Sequence, residues 1–143
     1  MATSTVQKTV KKLIAVLQGT TAVNTPVGGR IYGAHIATIV QPVFPAISMH
    51  VLDGSRLADG AMNEVFILQV DLWFKSAGAS PSTWDDVLAV WASVLEALHQ
   101  NSFFDASVKI TKILNVGQGP MLHEFDTELL HYPGRFQIMA VAA

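Results

Sequence analysis

The segment that begins at His123 contains the residues most able to bind a metal ion. His123, Glu124 and Asp126 are near neighbours there, and His131 follows shortly after. In an extended segment alternate side chains point to opposite sides, so Glu124 and Asp126 face away from His123. No histidine pair has the HExxH spacing that places two ligands on one helical face. We expect no metal site here, and interpret the segment as a polar strand that is solvated or meets another subunit.

The other candidates for catalysis are weak. Asp85 and Asp86 could form a carboxylate pair, but they fall in the first turn of a predicted helix, where negative charge is favoured electrostatically. The stretch from Gly78 to Ser82 is close to a GxSxG elbow, yet Pro81 follows the serine and removes a backbone N–H that an oxyanion hole would use. Neither GxxxxGK[ST] nor GxGxxG occurs. We expect no enzymatic activity and no cofactor.

The composition indicates a protein that hides much of its surface. The chain has 143 residues, which suits a single domain over 1–143, and 50% of them are hydrophobic. Only 14% are charged, against roughly 25% in an average globular protein. The apolar runs are far shorter than the roughly 20 residues that cross a bilayer. We therefore expect an obligate oligomer and no membrane association.

Charge and cysteine content exclude further classes of function. The formal net charge is −2, so no overall basic field would attract nucleic acid. The chain has no cysteine, which excludes disulfides, thiolate nucleophiles and zinc sites that need cysteine. A structural or assembly role remains.

The hydrophobic pattern predicts an α+β fold, a mainly antiparallel sheet of about four strands with two helices packed on one face. A helix is expected from Ser4 to Gln18 and another behind Pro81, with Thr20–Gly29 as turns. Pro42 and Pro45 place the start of the first long strand at a sheet edge. The predicted strands are Val43–Leu52, Asn63–Lys75, Ser107–Asn115 and Arg135–Val141, with a short strand or link in Met121–Leu130.

Periodicity also predicts which faces are buried. In Asn63–Lys75 the even positions from Phe66 to Phe74 form the core face. The odd positions are only half apolar and suit a face that meets another subunit, with Trp73 as its exposed anchor. In the second helix the expected core stripe is Trp84, Leu88, Trp91, Leu95 and Leu98.

These patterns select the residues expected at partner interfaces. The polar connection Asp53–Gly60 reads as a long hairpin tip that reaches a neighbour. The full set of expected interface residues is Asp53, Ser55, Arg56, Leu57, Asp59, Trp73, His123, Glu124 and Asp126.

Spread over most of its length, the chain resembles the tail terminator or tail completion proteins of the bacteriophage neck. The resemblance comprises an N-terminal helix, a polar hairpin tip and one amphipathic helix between strands. The segments that carry it are Gly28-Gly29-Arg30-Ile31-Tyr32, Phe44-Pro45-Ala46-Ile47, Gln69-Val70-Asp71-Leu72-Trp73, His131-Tyr132 and Phe136-Gln137-Ile138.

This resemblance implies a structural virion protein without catalytic residues. It implies a hexameric ring that caps the tail tube, ends its polymerisation and joins the tail to the head–neck connector. Its partners would be copies of itself, the tail tube protein and connector proteins, and DNA would pass through its lumen without sequence-specific binding. Assembly would take place in the host cytoplasm. Two alternatives stay open: another ring of the neck, and a small dimeric ligand-binding or metal-dependent domain that uses His123, Glu124 and Asp126.

Overall fold

A computed structural model describes residues 4–34, 38–39, 41–56, 63–78 and 81–142. In this part of the chain three helices pack on one face of a sheet of seven strands, so the α+β class is confirmed. The helices are α1 (Thr5–Gln18), α2 (Thr21–Val27) and α3 (Trp84–Leu98). The strands are β1 (Ile31–Tyr32), β2 (Ala46–Arg56), β3 (Asn63–Lys75), β4 (Phe103–Phe104), β5 (Val108–Gln118), β6 (Leu122–Glu124) and β7 (Leu129–Ala142).

The sheet is mixed, with strand order β1-β2-β3-β7-β5-β4 and β6 paired to β7. The pairing of β1 with β2 is parallel, and the other pairings are antiparallel. The expectation of about four strands in a mainly antiparallel sheet is therefore wrong. The additional strands β1, β4 and β6 contain two or three residues each, too few to show a period in the sequence.

Helix α1 begins and ends where the sequence predicts. Ser4 caps its first turn, since its Oγ accepts from the Gln7 N–H at 3.0 Å while its own N–H donates to the Gln7 side chain. Gly19 follows the last helical residue. The buried face consists of Thr5, Thr9, Leu13 and Leu17. Val6, Val10 and Ile14 lie beside that face and are half-buried.

Residues Thr21–Val27 form α2, so the prediction of turns over Thr20–Gly29 is wrong. Val23 and Val27 are four residues apart and fully buried, which gives this short helix one apolar face. Gly28 ends it with a left-handed backbone (φ 57°) that glycine adopts without steric cost.

Helix α3 begins behind Pro81 as predicted, and Thr83 caps it, since its hydroxyl accepts from the Asp86 N–H at 3.3 Å. Its buried face differs from the predicted stripe. Trp91 and Leu98 are buried, but Trp84 is 41% exposed and Leu88 is 42% exposed. The full buried set is Val87, Val90, Trp91, Val94 and Leu98. The buried face therefore includes three valines that the predicted stripe omits, and it excludes Trp84 and Leu88.

The strands carry most of the core. Strand β3 has the predicted bounds, and Phe66, Leu68, Val70, Leu72 and Phe74 are buried against the helices, as expected. Strand β7 begins earlier than the predicted Arg135 and pairs with β3 along its length. The start of β2 lies between β1 and β3, so the edge position expected from Pro42 and Pro45 is wrong.

Candidate functional site

The face of the sheet opposite the helices, here called the outer face, is covered at one end by the chain itself. Trp73 and Ala46 are buried there with Leu129 in a small apolar cluster. The side chains of Tyr32, Ile39 and Phe44 pack on the cluster from the segment before β2. Trp73 is only 5% exposed, so the expectation of an exposed Trp73 is wrong.

A buried carboxylate lies next to this cluster. Asp71 on β3 is 0% exposed, and its Oδ1 lies 2.7 Å from Nε2 of His131 on β7. The Gln69 side-chain amide donates to the same Oδ1 at 2.8 Å. Across the other strand boundary, Nδ1 of His50 on β2 lies 3.4 Å from Asp71 Oδ2. The carboxyl group thus connects three neighbouring strands. Its Oδ1 is hydrogen-bonded by Gln69 and His131, whereas Oδ2 accepts no hydrogen bond within the described residues and has the His50 imidazole beside it.

Two aromatic rings close this polar cluster on its apolar side. The Trp73 indole stacks on the His131 imidazole with ring centroids 3.8 Å apart. The Trp73 Nε1–H donates to the Ser48 hydroxyl at 3.0 Å, and Ser48 is fully buried. In the sequence, His131 stands beside the candidate metal residues and Asp71 within a segment of the family resemblance, but no pattern connects either of them with Ser48 or with each other. They lie on three strands far apart in the chain, and only the strand register brings them together.

The cluster contains serine, histidine and aspartate but lacks the arrangement of a hydrolytic site. A catalytic histidine must face both its carboxylate and a serine that substrate can reach. Ser48 is fully buried and accepts its hydrogen bond from Trp73. The arrangement therefore holds β2, β3 and β7 together, and we assign it a structural role.

The other end of the outer face is open and half apolar. Val65 and Ile67 on β3 are half-buried, as are Leu114 on β5 and Met139 on β7. A shallow cavity of about 170 Å³ lies between these strands, with Lys112 and Gln137 completing its wall. The sequence analysis predicted a half-apolar face of β3 that meets another subunit. That role stays a prediction.

The predicted hairpin is present, and β2 extends further along the chain than expected. The backbones of Asp53, Ser55 and Arg56 belong to β2 and pair with Ile67, Val65 and Glu64 of β3, so the expectation that these three residues form a hairpin tip is wrong. Leu57 and Asp59 lie outside the described residues.

The turn between β6 and β7 presents an exposed patch of aromatic and acidic side chains. His123 and Glu124 lie on β6 and Asp126 lies in the turn, all exposed. Phe125 between them is 79% exposed, and its ring lies 4.4 Å from that of His123 between centroids. The His123 ring in turn meets Trp84 edge-on at 6.4 Å. We call Trp84, Leu88, His123 and Phe125 the aromatic patch.

The acidic residues of this turn do not converge on a common point. His123 Nε2 lies 3.0 Å from the Ser76 hydroxyl, and Glu124 accepts from the Thr127 hydroxyl at 3.1 Å. Among the residues that the structure describes, no group of three or more His, Asp or Glu side chains is placed to hold a metal ion. The metal-dependent alternative thus gains no support from this turn.

An apolar groove of about 420 Å³ lies between α1 and the part of β2 that follows its pairing with β1. Val6, Val10 and Ile14, one helical turn apart, form its helical wall. Met49 and Val51 of β2 form the opposite wall. The remaining lining residues are Gln7, Lys11, Gly33 and His50. We call this feature the α1–β2 groove.

Asp105 holds the turn between β4 and β5. Its Oδ1 accepts from the Ser107 N–H at 2.7 Å, the Ser107 hydroxyl at 2.8 Å and the Val108 N–H at 3.0 Å. These bonds, those from Ser107 first, lower the pKa of the Asp105 carboxyl from 3.8 to about 2. Lys12 of α1 lies 3.6 Å from Asp105 Oδ2 and adds a small effect in the same direction.

In the described part of the chain no helix is long and apolar enough to cross a membrane. No family model matches the sequence, and no curated protein is similar to it in sequence. In fold the chain is similar to 31 chains in solved structures. One of them belongs to the virion of a native gene transfer agent particle, with a TM-score of 0.66 at 11% identity over 92% of each chain. This likeness establishes a shared fold over nearly the whole of both chains.

Proposed function

We propose that this chain is a structural protein of a tailed-bacteriophage virion and acts in the neck as the tail terminator. It forms a ring, with six subunits expected, that caps the tail tube, ends its polymerisation and joins the tail to the connector. The observation that carries the proposal is the fold shared with a gene transfer agent virion chain over 92% of both chains. The sequence resemblance to tail terminators supports the position in the neck.

The surface of the chain supports an assembly role. Several large apolar side chains are well exposed and lie together in the aromatic patch, namely Phe125 at 79%, Leu88 at 42% and Trp84 at 41%. The open end of the outer face adds the half-buried Val65 and Ile67. Contiguous apolar surface of this kind marks protein–protein contacts. A ring subunit buries a different patch on each of its two sides, which fits a chain with only 14% charged residues.

The net charge of −2 suits a lumen through which DNA passes. Tight DNA binding needs many lysine or arginine contacts that release counterions from the phosphates. A weakly acidic ring offers few of these, so the DNA slides without being held. We assign contact with the tail tube to the tip of the β2–β3 hairpin.

The proposal is tested by the native mass of the purified chain and by a tube-capping assay. We expect light scattering to show about six subunits, or a smaller species that forms a ring when tail tubes are added. Negative-stain images should show added density at one tube end, and tubes should stop lengthening. A compact dimer that ignores tail tubes would overturn the proposal. A ring that binds connectors but never tubes would place the chain elsewhere in the neck and would overturn the terminator role.

A tip variant separates docking from folding. Residues 57–60 are replaced by Gly-Ser-Gly-Ser, while Ser55 and Arg56 are kept because their backbones pair with β3. We expect an unchanged ring mass and a loss of tube capping. Glu96→Gln on the exposed side of α3 is the matched control and should cap normally. Normal capping by the tip variant would remove the hairpin from the mechanism.

A further inference from the structure

The α1–β2 groove combines an apolar interior with a positive rim. Its volume of about 420 Å³ falls within the roughly 300–1,000 Å³ of clefts that bind ligands. Lys11 lines its edge and is exposed, and Lys8 lies one helical turn before it on α1. Within the described residues Lys12 is paired with Asp105, but no ion pair involves Lys11. The groove therefore suits an apolar side chain flanked by negative charge.

The aromatic patch is complementary to the groove, because it presents an exposed apolar side chain surrounded by carboxylates. Phe125 is 79% exposed and stands between Glu124 and Asp126, with Glu128 two residues further on. All three carboxylates are exposed. Asp85, also exposed, is adjacent to Trp84 of the same patch. An aromatic side chain of this kind buries roughly 150–250 Å² when it is enclosed.

We propose that Phe125 of one copy of this chain inserts into the α1–β2 groove of a second copy, and that Asp126 then faces Lys11. The inference rests on charge complementarity between two surfaces of one chain, and it deepens the proposed function by naming the contact between ring subunits. A standard interface buries roughly 800 Å² on each partner. Phe125 is thus the anchor of a larger contact that includes Trp84 and Leu88 of the aromatic patch.

The two surfaces are different patches of the same subunit. A contact between different patches leaves the second patch of each copy free for a further copy. Such a head-to-tail contact produces a closed ring or an open filament, whereas a contact between identical patches stops at a dimer. The inference therefore predicts assembly beyond the dimer.

Cross-linking tests the contact directly, because the natural chain has no cysteine. Lys11→Cys and Asp126→Cys are prepared as single variants, mixed, and treated with a short thiol-reactive cross-linker. We expect a linked dimer in the mixture that exceeds the yield from either variant alone, with mass spectrometry joining the peptides that contain positions 11 and 126. The double variant should give a ladder of multimers. Yields no higher than in the single variants would overturn the inference.

Substitutions of the anchor provide an independent measurement. Phe125→Ala should weaken self-association at least about tenfold, as loss of an aromatic anchor does at other interfaces. Phe104→Ala is the matched control, since Phe104 is 60% exposed and belongs neither to the aromatic patch nor to the lining of the groove. Lys11→Glu and Asp126→Lys should each weaken assembly, and the two together should restore it. Equal effects of Phe125→Ala and Phe104→Ala would contradict the inference.

The outcomes separate this inference from the proposed function. An oligomer that caps tail tubes but gives no link between positions 11 and 126 overturns the contact and leaves the terminator role intact. A specific link in a protein that ignores tail tubes does the reverse.

Discussion

Trp73 and His131 are direct cross-strand neighbours, and their rings lie parallel within 6° at a centroid distance of 3.8 Å. A ring nitrogen of each residue is hydrogen-bonded to a side chain on a neighbouring strand. Trp73 donates to the Ser48 hydroxyl of β2, and His131 lies 2.7 Å from the Asp71 carboxylate of β3. The stacked pair thus joins β2, β3 and β7 on the outer face.

Removal of the indole should destabilise the fold strongly. Trp73→Ala is expected to lower the free energy of unfolding by about 3–5 kcal/mol, the usual cost of removing a large buried aromatic side chain. Trp73→Phe keeps an aromatic face but leaves the buried Ser48 hydroxyl without its donor, at a cost of about 1–3 kcal/mol. Denaturant unfolding at one fixed protein concentration measures both. The matched control is Phe104→Ala, which removes an aromatic ring that is 60% exposed and should cost much less.

The Asp71 carboxylate should be needed for stability. Asp71→Ala leaves His131, His50 and Gln69 facing a buried site without an acceptor, so we expect a loss of at least about 3 kcal/mol. Asp71→Asn retains one carbonyl oxygen and should lose less. Glu96→Ala, which removes an exposed carboxylate on α3, should stay within about 0.5 kcal/mol of the natural chain. Urea titrations of the three variants provide the comparison. Equal stability of Asp71→Ala and Glu96→Ala would refute a stabilising role for the polar cluster.

The sequence predicts those elements that carry local signals. Ser4 and Thr83 mark helix starts through capping boxes, and both helices begin there. Strand β3 shows the period of two over its whole length and has the predicted bounds. Helix α2 is not predicted because Asn24, Pro26 and the two glycines that follow it are typical of turns, while only Val23 and Val27 indicate a buried face.

The polar cluster could not be predicted, because its parts are distant in sequence. Asp71 and His131 are 60 residues apart, and their contact depends on the register between β3 and β7. Exposure of Trp73 was mispredicted for a related reason. Its strand face alternates with polar residues, and nothing local shows that the segment before β2 folds over the indole. The exposure of Phe125 is not predicted, because its neighbours His123, Glu124 and Asp126 are residue types that also occur in metal sites.

Gly134 should not tolerate a side chain. It lies buried on β7, and a Cβ there would collide with the Trp91 ring of α3. Because the core is close-packed, Gly134→Ala is expected to cost about 1–3 kcal/mol. A Trp91→Phe substitution in the same chain removes the colliding ring atoms, so the double variant should lose less than the sum of the single losses. Unfolding free energies of all four chains form the cycle. Simple additivity would show that the two residues are not in contact.

Ionised Asp105 should contribute to the stability of the fold, and this contribution should be lost only at unusually low pH. Hydrogen bonds from the Ser107 N–H, the Ser107 hydroxyl and the Val108 N–H lower the pKa of Asp105 to about 2. A folded-state pKa below the unfolded value favours folding at every pH above the unfolded value. This contribution is fully present above about pH 4 and is lost as the pH falls toward about 2.

NMR titration of the Asp105 carboxyl should therefore give a midpoint near pH 2. Ser107→Ala removes the hydroxyl donor and should raise that midpoint more than Lys12→Ala does, because the lysine 3.6 Å away contributes the smallest of the favourable effects. Asp105→Asn has no carboxyl to titrate at this position. The difference in the free energy of unfolding between this variant and the natural chain should therefore become smaller as the pH falls from 4 to 2. A midpoint near the ordinary 3.8 would show that the turn is not held as described.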